Sequence, residues 1–299
     1  MMPPGHHAYR GRFVHPNSAM RVRSIDEAEI PAVAAFLHTA VDPRLSVAQW
    51  RALFAYDWPG VKPDHGFVVV VGGEIKGFLG TVYAERNVAG EGRMFCNLSS
   101  WFVAPEIRGA GALLLMAATR RRNCIYTNFT ATAEAAALVL KAGFRQIGAV
   151  KHLLPPLAQT ATLARSLAAR VATDLAAVAA RLDSAQRRLF DDHKQTCGHL
   201  LLEDQDQTLY VITRRRVKRN VPLTEVMHVS SPALFQRHLE RVKIVALRRD
   251  RTAALACDDR FLDVEPRLAM RVARPIFCKG GPFPDAAVDN LYSELVLLP

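Results

Sequence analysis

The sequence predicts an α/β or α+β fold in which a mixed, mostly antiparallel sheet is flanked by helices, with two such domains in tandem. The N-terminal half shows patterns in the order strand, two helices, three strands, helix, strand, helix, strand. A Gly-Gly-Glu turn at 72–74 joins two apolar runs, which is typical of a β-hairpin. The C-terminal half repeats this order of elements without repeating the sequence.

The composition sets the broad class of the protein. The chain has 299 residues, 50% of them hydrophobic, which is enough for two cores. No run approaches the roughly 20 apolar residues that a membrane helix needs. The five cysteines are scattered and odd in number, which favours the cytoplasm, and no ligand set for a metal accompanies them. The net charge of +11 favours anionic ligands without choosing among them.

The first elements are indicated by alternation and by caps. Residues 1–19 are expected to be a flexible tail without the apolar segment of a secretion signal, and alternation predicts a strand at 20–25. Asp26 and Glu29 form a capping-box pattern before the first helix. Ser46 is the predicted N-cap of the second helix.

The remaining elements of the first half follow the hairpin. The strand "RMFCNLSSWFVAP" ends at Pro105, and a leucine-rich helix comes next. The run "CIYTNFTA" predicts another strand, and the helix after it ends at Gly143, a usual C-terminal stop. The run "RQIGAVKHLL" predicts the last strand of this half.

A Pro-Pro-Leu break at 155–157 opens the second half. Apolar residues at steps of three and four predict a long amphipathic helix over 160–190. The patterns after it read strand, strand, strand, helix, strand, with Ser231 as the helix N-cap. The runs "RPIFCKG" and "LYSELVLL" predict two final strands.

Between the strand that ends at Pro105 and the leucine-rich helix stands the sequence Arg108-Gly109-Ala110-Gly111. Small residues let backbone N–H groups point at an anion, and the helix N-terminus and the arginine add positive potential. The dinucleotide and nucleoside-triphosphate glycine motifs are both absent. This corner therefore predicts a phosphate site, with a plain tight turn as the alternative.

The strand, this corner, the leucine-rich helix and the segment "AEAAALVLKAGF" together resemble the Gcn5-related N-acetyltransferase family over residues 20–150. The resemblance implies direct transfer of an acetyl or other acyl group from acyl-CoA to an amine, with no metal. It implies a strand that separates from its neighbour and leaves backbone amides free for the cofactor. The implied cofactor-binding residues are Phe102, Val103, Arg108, Gly109, Ala110, Gly111, Ala112 and Asn128.

The resemblance also divides the chain. We expect an acyl-CoA-binding domain over 20–155, linking amphipathic helices over 156–190, and a second, degenerate domain without the glycine motif over 191–299. Two positions depart from the family pattern. Leu113 occupies a position that is usually small, and Val139 stands where many members carry the tyrosine that protonates the departing CoA thiolate. The general acid is therefore not identified.

Candidate catalytic residues come from the predicted strands. Glu85, at a strand end, is a candidate general base, with a solvated strand end as the alternative. Asn97 and Ser99 share one face of their strand and predict a polar, substrate-facing surface. The family geometry implies that Tyr126 and Asn128 flank the acyl chain, and Tyr126 is considered as proton donor.

The acceptor is expected to be a small-molecule or protein amine, and the oligomeric state is not indicated. A non-catalytic acyl-CoA-binding or regulatory protein remains the alternative function, because Leu113 and Val139 both favour it. The basic run at 214–219 lacks interleaved aromatic residues, so we interpret it as a solvated strand edge or hairpin tip rather than a nucleic-acid contact.

Overall fold

The computed structural model describes residues 19–88, 90–157, 163–164, 168–218 and 220–299. Across these residues twelve strands form one sheet, and helices cover both of its faces. The predicted fold class is confirmed: the sheet is mixed and mostly antiparallel, and helices flank it. The order of elements in the first half recurs in the second, except that a 3₁₀ turn at Asp259–Phe261 stands in the place of the last helix. Residues 1–18 of the predicted tail lie outside the described residues.

The strands are numbered in chain order. They are β1 (Arg21–Ser24), β2 (Phe67–Val71), β3 (Glu74–Val88), β4 (Glu91–Val103), β5 (Cys124–Asn128), β6 (Arg145–Leu154), β7 (Arg170–Ala172), β8 (Gly198–Asp204), β9 (Gln207–Lys218), β10 (Val221–Val229), β11 (Ala254–Asp258) and β12 (Met270–Lys279).

The α-helices are numbered in the same way. They are α1 (Ile30–Ala40), α2 (Val47–Arg51), α3 (Ala110–Ala118), α4 (Ala133–Lys141), α5 (Leu175–Ala179), α6 (Ser184–His193), α7 (Pro232–Asp250) and α8 (Glu294–Leu297). In the part of the chain that the structure describes, no helix is both long and apolar enough to cross a membrane.

The two halves exchange their last strands. The sheet order is β1-β2-β3-β4-β5-β12-β6-β11-β10-β9-β8-β7. Strand β12 pairs with β5 of the first half, and β6 pairs with β11 of the second half. The β4–β5 and β10–β11 pairs are parallel, and the other pairs are antiparallel. One continuous sheet therefore joins both halves.

Three apolar cores lie against this sheet. One packs β2–β5 against α3 and α4, and another packs the strands of the second half against α7. The third lies on the opposite face of β2–β5, under α1 and α2. It continues into the second half through buried Phe190 and Tyr210 and into the C-terminal segment through Leu295. Because this core contains residues from both halves, the halves stabilise each other.

Local signals for helix starts are confirmed. Asp26 and Glu29 form the capping box, and the chain passes through a 3₁₀ turn into α1. The Ser46 side chain accepts a hydrogen bond from the Gln49 N–H at the start of α2. Ser231 caps α7 in the same way.

The single long helix predicted over 160–190 is wrong for the described part of that range. Residues Arg170–Ala172 form the edge strand β7, which pairs with β8. Two short helices follow, and Asp174 and Asp183 cap their N-termini. Apolar residues spaced three and four apart predict a helix, but the spacing does not show where one element ends and the next begins. Here the spaced apolar residues are divided between a strand and two short helices. The positions 160–162 and 165–167 lie outside the described residues.

The last predicted strand, over 291–298, is also wrong. Its central residues form the short helix α8, and the Ser293 hydroxyl accepts a hydrogen bond from the Leu295 N–H at its start. The apolar residues of the run favoured a strand, but the segment packs into the third core instead of pairing at a sheet edge.

Candidate active site

Strands β4 and β5 separate beyond a short parallel contact. They pair only where Met94–Asn97 meets Cys124–Thr127. A β-bulge follows on β4, because the register with β3 shifts between Ser99 and Phe102 and Ser100 takes a φ of 51°. Gly80 allows this close approach: a Cβ there would lie 2.9 Å from the Ser99 hydroxyl. A gap between two parallel strands results, as the resemblance implies.

One backbone amide of β4 faces this gap. The Ala104 N–H donates to the Lys76 carbonyl at 2.8 Å, on the β3 side. In an antiparallel ladder, alternate residues point to the same neighbour, so the Phe102 N–H also faces β3. The Val103 N–H points to the opposite side. Of the two amides predicted to be free, only that of Val103 is therefore directed into the gap.

The N-terminus of α3 is open to solvent. Arg108 and Gly109 are exposed, and a Cβ at Gly109 would meet nothing within 4 Å. Gly111 is buried, and a Cβ there would touch Trp101 at 3.6 Å. The first N–H groups of a helix have no partner inside the helix, and they carry partial positive charge. Leu113, at 42% exposure, is directed largely to solvent.

A cavity of about 780 Å³ runs through the gap. The β4 bulge forms one wall, and the segment from Asn128 to Thr132 that joins β5 to α4 forms the facing wall. The loop between α1 and α2 contributes Asp42, and α2 contributes Trp50. The end of the β9–β10 hairpin contributes Arg216, Lys218 and Asn220. The cavity is therefore built by both halves of the chain.

Glu294 lies in the wall of this cavity. Its side chain is buried, and the Thr130 hydroxyl donates to its Oε1 at 2.7 Å. Its Oε2 is also buried and has no hydrogen-bond partner among the described residues. Burial raises the pKa of Glu294, although the Thr130 hydrogen bond and more distant Arg274 and Arg216 act in the opposite direction.

Asn97 holds the backbone of Glu294 against the sheet. Its Oδ1 accepts the Glu294 N–H at 3.3 Å, and its Nδ2 contacts the Thr127 hydroxyl at 3.3 Å. Asn97 thus connects β4 and β5 with α8 at the point where the two strands begin to separate. Ser99, on the same face of β4, lines the cavity, as does Asn128.

Two predicted catalytic residues are not brought to this cavity. Glu85 is exposed and stands opposite Met94 in the β3–β4 ladder, several residues from the bulge. Tyr126 is buried on the α3 side of the sheet, where its hydroxyl bonds with the backbone N–H and carbonyl of Arg121. The hydroxyl therefore closes a turn and does not face the gap. Val139 is fully buried in the same core.

Sequence reasoning missed Glu294 and Thr130. The available signal was Ser293 followed by a glutamate, which is typical of a helix start, but the apolar residues on both sides of this pair favoured a strand. The α1–α2 loop and the β9–β10 hairpin carry no motif that points to the cavity. Their positions depend on the strand exchange, which joins segments far apart in sequence.

The described part of the basic run, 214–218, does not lie on a sheet edge, because β9 has neighbours on both sides. Its arginines bond to the protein's own backbone: Arg214 to the Thr196 carbonyl at 2.5 Å, and Arg216 to the Leu295 carbonyl at 2.6 Å. The predicted hairpin tip is present, because β9 ends at Lys218 and β10 begins at Val221.

The second half has the corresponding strand pair but not the open gap. Strands β10 and β11 pair in parallel over Leu223–Glu225 and Ala254–Ala256, and an irregularity follows on β10. Asn290 occupies the space beyond. Its backbone N–H donates to the Met227 carbonyl at 3.0 Å, and its side chain bonds to Asp258. The chain itself therefore closes this second gap.

No family model matches the sequence, and no curated protein matches it. Solved structures match the fold. A tandem GNAT protein from the clavulanic acid biosynthesis pathway is 14% identical, with 89% of this chain and 100% of that chain covered and a TM-score of 0.56. A GCN5-related N-acetyltransferase from Anabaena variabilis is 12% identical, with 87% of this chain and 72% of that chain covered and a TM-score of 0.51. One from Kribbella flavida is 15% identical, with 87% of this chain and 71% of that chain covered and a TM-score of 0.51. This chain therefore has the fold of the GCN5-related N-acetyltransferases.

Proposed function

We propose that this protein is an acyl-CoA-dependent N-acyltransferase that moves an acetyl or other acyl group to an amine. The observation that carries the proposal is the gap between β4 and β5. It lies beside the open N-terminus of α3 and leads into a cavity of about 780 Å³. The acetyltransferase names of the structural neighbours support acyl-CoA as the co-substrate.

In this proposal the diphosphate of acyl-CoA binds the first amides of α3, at Gly109 to Ala112, with Arg108 as a charged donor. The pantetheine arm enters the gap beside Val103, which places the thioester near Ser99 and Asn128. The backbone amide of Val103 would stabilise the oxyanion that develops on the thioester carbonyl. No group of three or more metal-ligating side chains occurs in the described part of the chain, and the proposed reaction uses none.

The acceptor amine occupies the cavity between the two halves, as a small molecule or as a protein side chain or terminus. We retain 20–155 as the acyl-CoA-binding domain, 156–190 as the link and 191–299 as the degenerate second domain. The closed gap at Asn290 supports a non-catalytic role for the second domain. The cytoplasm remains the proposed location, on the pattern of the cysteines.

Calorimetric titration with acetyl-CoA tests this proposal. Arg108→Ala should weaken binding about tenfold or more, since a hydrogen bond to a charged group contributes roughly 1.5–3 kcal/mol. Arg122→Ala is the matched control, because Arg122 is exposed just beyond the opposite end of α3. Failure of the wild type to bind acetyl-CoA would refute the proposal. Binding without turnover on a panel of amines would favour the non-catalytic alternative.

A further inference from the structure

One buried carboxyl group in the cavity wall has only part of its hydrogen-bonding capacity used by the protein. Glu294 is 4% exposed and lines the cavity, yet its Oε2 lacks a hydrogen-bond partner among the described residues. A buried ionisable group without a full set of partners costs stability. Such groups collect at functional sites, where their reactivity is used.

We infer that Glu294 accepts the proton of the acceptor amine during acyl transfer, with Oε2 as the atom that takes it. This inference rests on the proposed function and adds a residue that the sequence did not indicate. It gives Thr130 and Asn97 positioning roles. Thr130 occupies Oε1, so that Oε2 is the oxygen without a hydrogen-bond partner among the described residues, and Asn97 fixes the backbone from which the side chain extends.

The position of the carboxyl group suits this role. Asn97 is the last β4 residue paired with β5, and Glu294 hydrogen-bonds to it through its backbone. The backbone of Glu294 is therefore held at the apex of the gap, and its side chain belongs to the wall of the cavity in which the acceptor would meet the acyl group. A proton acceptor must lie within hydrogen-bond reach of the reacting nitrogen, and this apex is the place that allows it.

The charged groups around Glu294 are mixed. Arg216 on β9 and Arg274 on β12 favour its ionised form, while the surrounding protein excludes water and favours the protonated form. The segment between β5 and α4 contributes the uncharged Thr130, and β4 contributes the uncharged Asn97. Farther along the cavity wall stand Asp42, Arg44 and Lys218. Burial is the largest influence and raises the pKa of Glu294 above its usual value.

In the proposed reaction one C–N bond forms and one C–S bond breaks. The amine nitrogen forms a bond to the thioester carbonyl carbon, and the nitrogen's proton passes to Oε2 of Glu294. The carbon–sulfur bond then breaks, and the electron pair leaves with the CoA sulfur. The proton on Glu294 returns to the thiolate, directly or through water. The products are the amide and CoA thiol, and the carboxylate is restored.

The test compares Glu294→Gln with the wild type, in titration and in turnover with acetyl-CoA and an amine panel. Glutamine keeps the length of the side chain and an oxygen for Thr130 but does not accept the proton. We expect kcat/KM to fall about 100-fold or more, the magnitude of general-base catalysis, with the Kd for acetyl-CoA changed less than about twofold. Glu91→Gln, at an exposed hairpin, is the matched control and should keep wild-type activity.

The pH profile separates a proton acceptor from a structural glutamate. The acidic limb of kcat/KM should disappear in Glu294→Gln. In Thr130→Val it should move to higher pH, because the lost hydrogen bond favoured the ionised carboxylate. The inference is overturned, and the proposed function is kept, if the wild type turns over and Glu294→Gln retains kcat/KM to within about threefold. The same holds if the acidic limb of kcat/KM in Glu294→Gln stays where it is in the wild type. Acetyl-CoA binding with no wild-type turnover overturns the inference together with the proposed catalytic function.

Discussion

A buried ion cluster at the junction of the halves makes a quantitative prediction for Lys151→Met. Lys151 on β6 contacts Glu225 on β10, and its Nζ lies 3.5 Å from the Asp258 carboxylate. The Arg216 Nε lies 3.6 Å from the other Glu225 oxygen. The side chains of Lys151, Glu225 and Asp258 are each at most 10% exposed. Methionine preserves most of the length of the lysine but removes its charge.

The size of the effect follows from Glu225. Burial alone would raise its pKa, but Lys151 and then Arg216 more than compensate, and the pKa is lowered to about 2. Relative to its usual value of 4.5, this shift corresponds to about 3 kcal/mol at neutral pH. Removing one partner of a buried pair costs about 3–5 kcal/mol. We therefore expect Lys151→Met to lower the free energy of unfolding by about 3 kcal/mol at pH 7.

The pH dependence has a definite sign. Because the folded pKa of Glu225 is depressed, its stabilising contribution is complete above pH 4.5 and is lost as the pH falls towards 2. The difference between wild type and Lys151→Met should therefore shrink across this window. Urea unfolding followed by circular dichroism at pH 7 and pH 3.5 measures both values.

Two controls complete this experiment. The double variant with Glu225→Met should recover at least half of the lost stability, because the uncompensated buried carboxylate is gone. Lys141→Met, at an exposed position, should change stability by less than about 0.5 kcal/mol. A loss below about 1 kcal/mol in Lys151→Met, equal at both pH values, would refute the reasoning.

Three further predictions concern stability and the cofactor site. Burial lowers the pKa of His193 to about 3, so the free energy of unfolding falls as the pH drops below 6.5, where the histidine of the unfolded chain takes up a proton. His193→Leu removes this effect, so its free energy of unfolding relative to the wild type should rise by about 2 kcal/mol between pH 7.5 and pH 5. Gly66→Ala should lower the unfolding free energy by about 2 kcal/mol, since φ is +112° and the Cβ would lie 2.7 Å from the Leu79 carbonyl. Gly109→Ala, with a helical φ of −59° and open space, should raise the free energy of unfolding by roughly 0.5 kcal/mol but weaken acetyl-CoA binding.

Denaturant unfolding and calorimetric titration check these outcomes. A pH-independent difference for His193→Leu would mean that the histidine is not held neutral. An unchanged midpoint for Gly66→Ala would contradict the strain argument, and Gly73→Ala, at a positive φ without a close neighbour, separates strain from crowding. Undiminished acetyl-CoA affinity in Gly109→Ala would place the diphosphate elsewhere.

Several features of the site could be predicted from local sequence. Asn97 and Ser99 were expected to share a polar face, and both line the cavity or hold its wall. The Arg108–Gly111 corner was expected at a strand-to-helix turn, and it begins α3 there. These predictions succeed because alternation, caps and glycine corners depend on residues a few positions apart.

The sequence by itself determined the order of strands and helices in the first half, the caps of α1, α2 and α7 and the glycine corner, since each depends on side chains acting on their own backbone. Only the tertiary structure decided that β12 enters beside β5, that Asn290 closes the second gap and that Glu294 reaches the first. Strand edges present the same N–H and C=O groups whatever their sequence. The choice of partner therefore depends on packing across the whole chain, which no local pattern records.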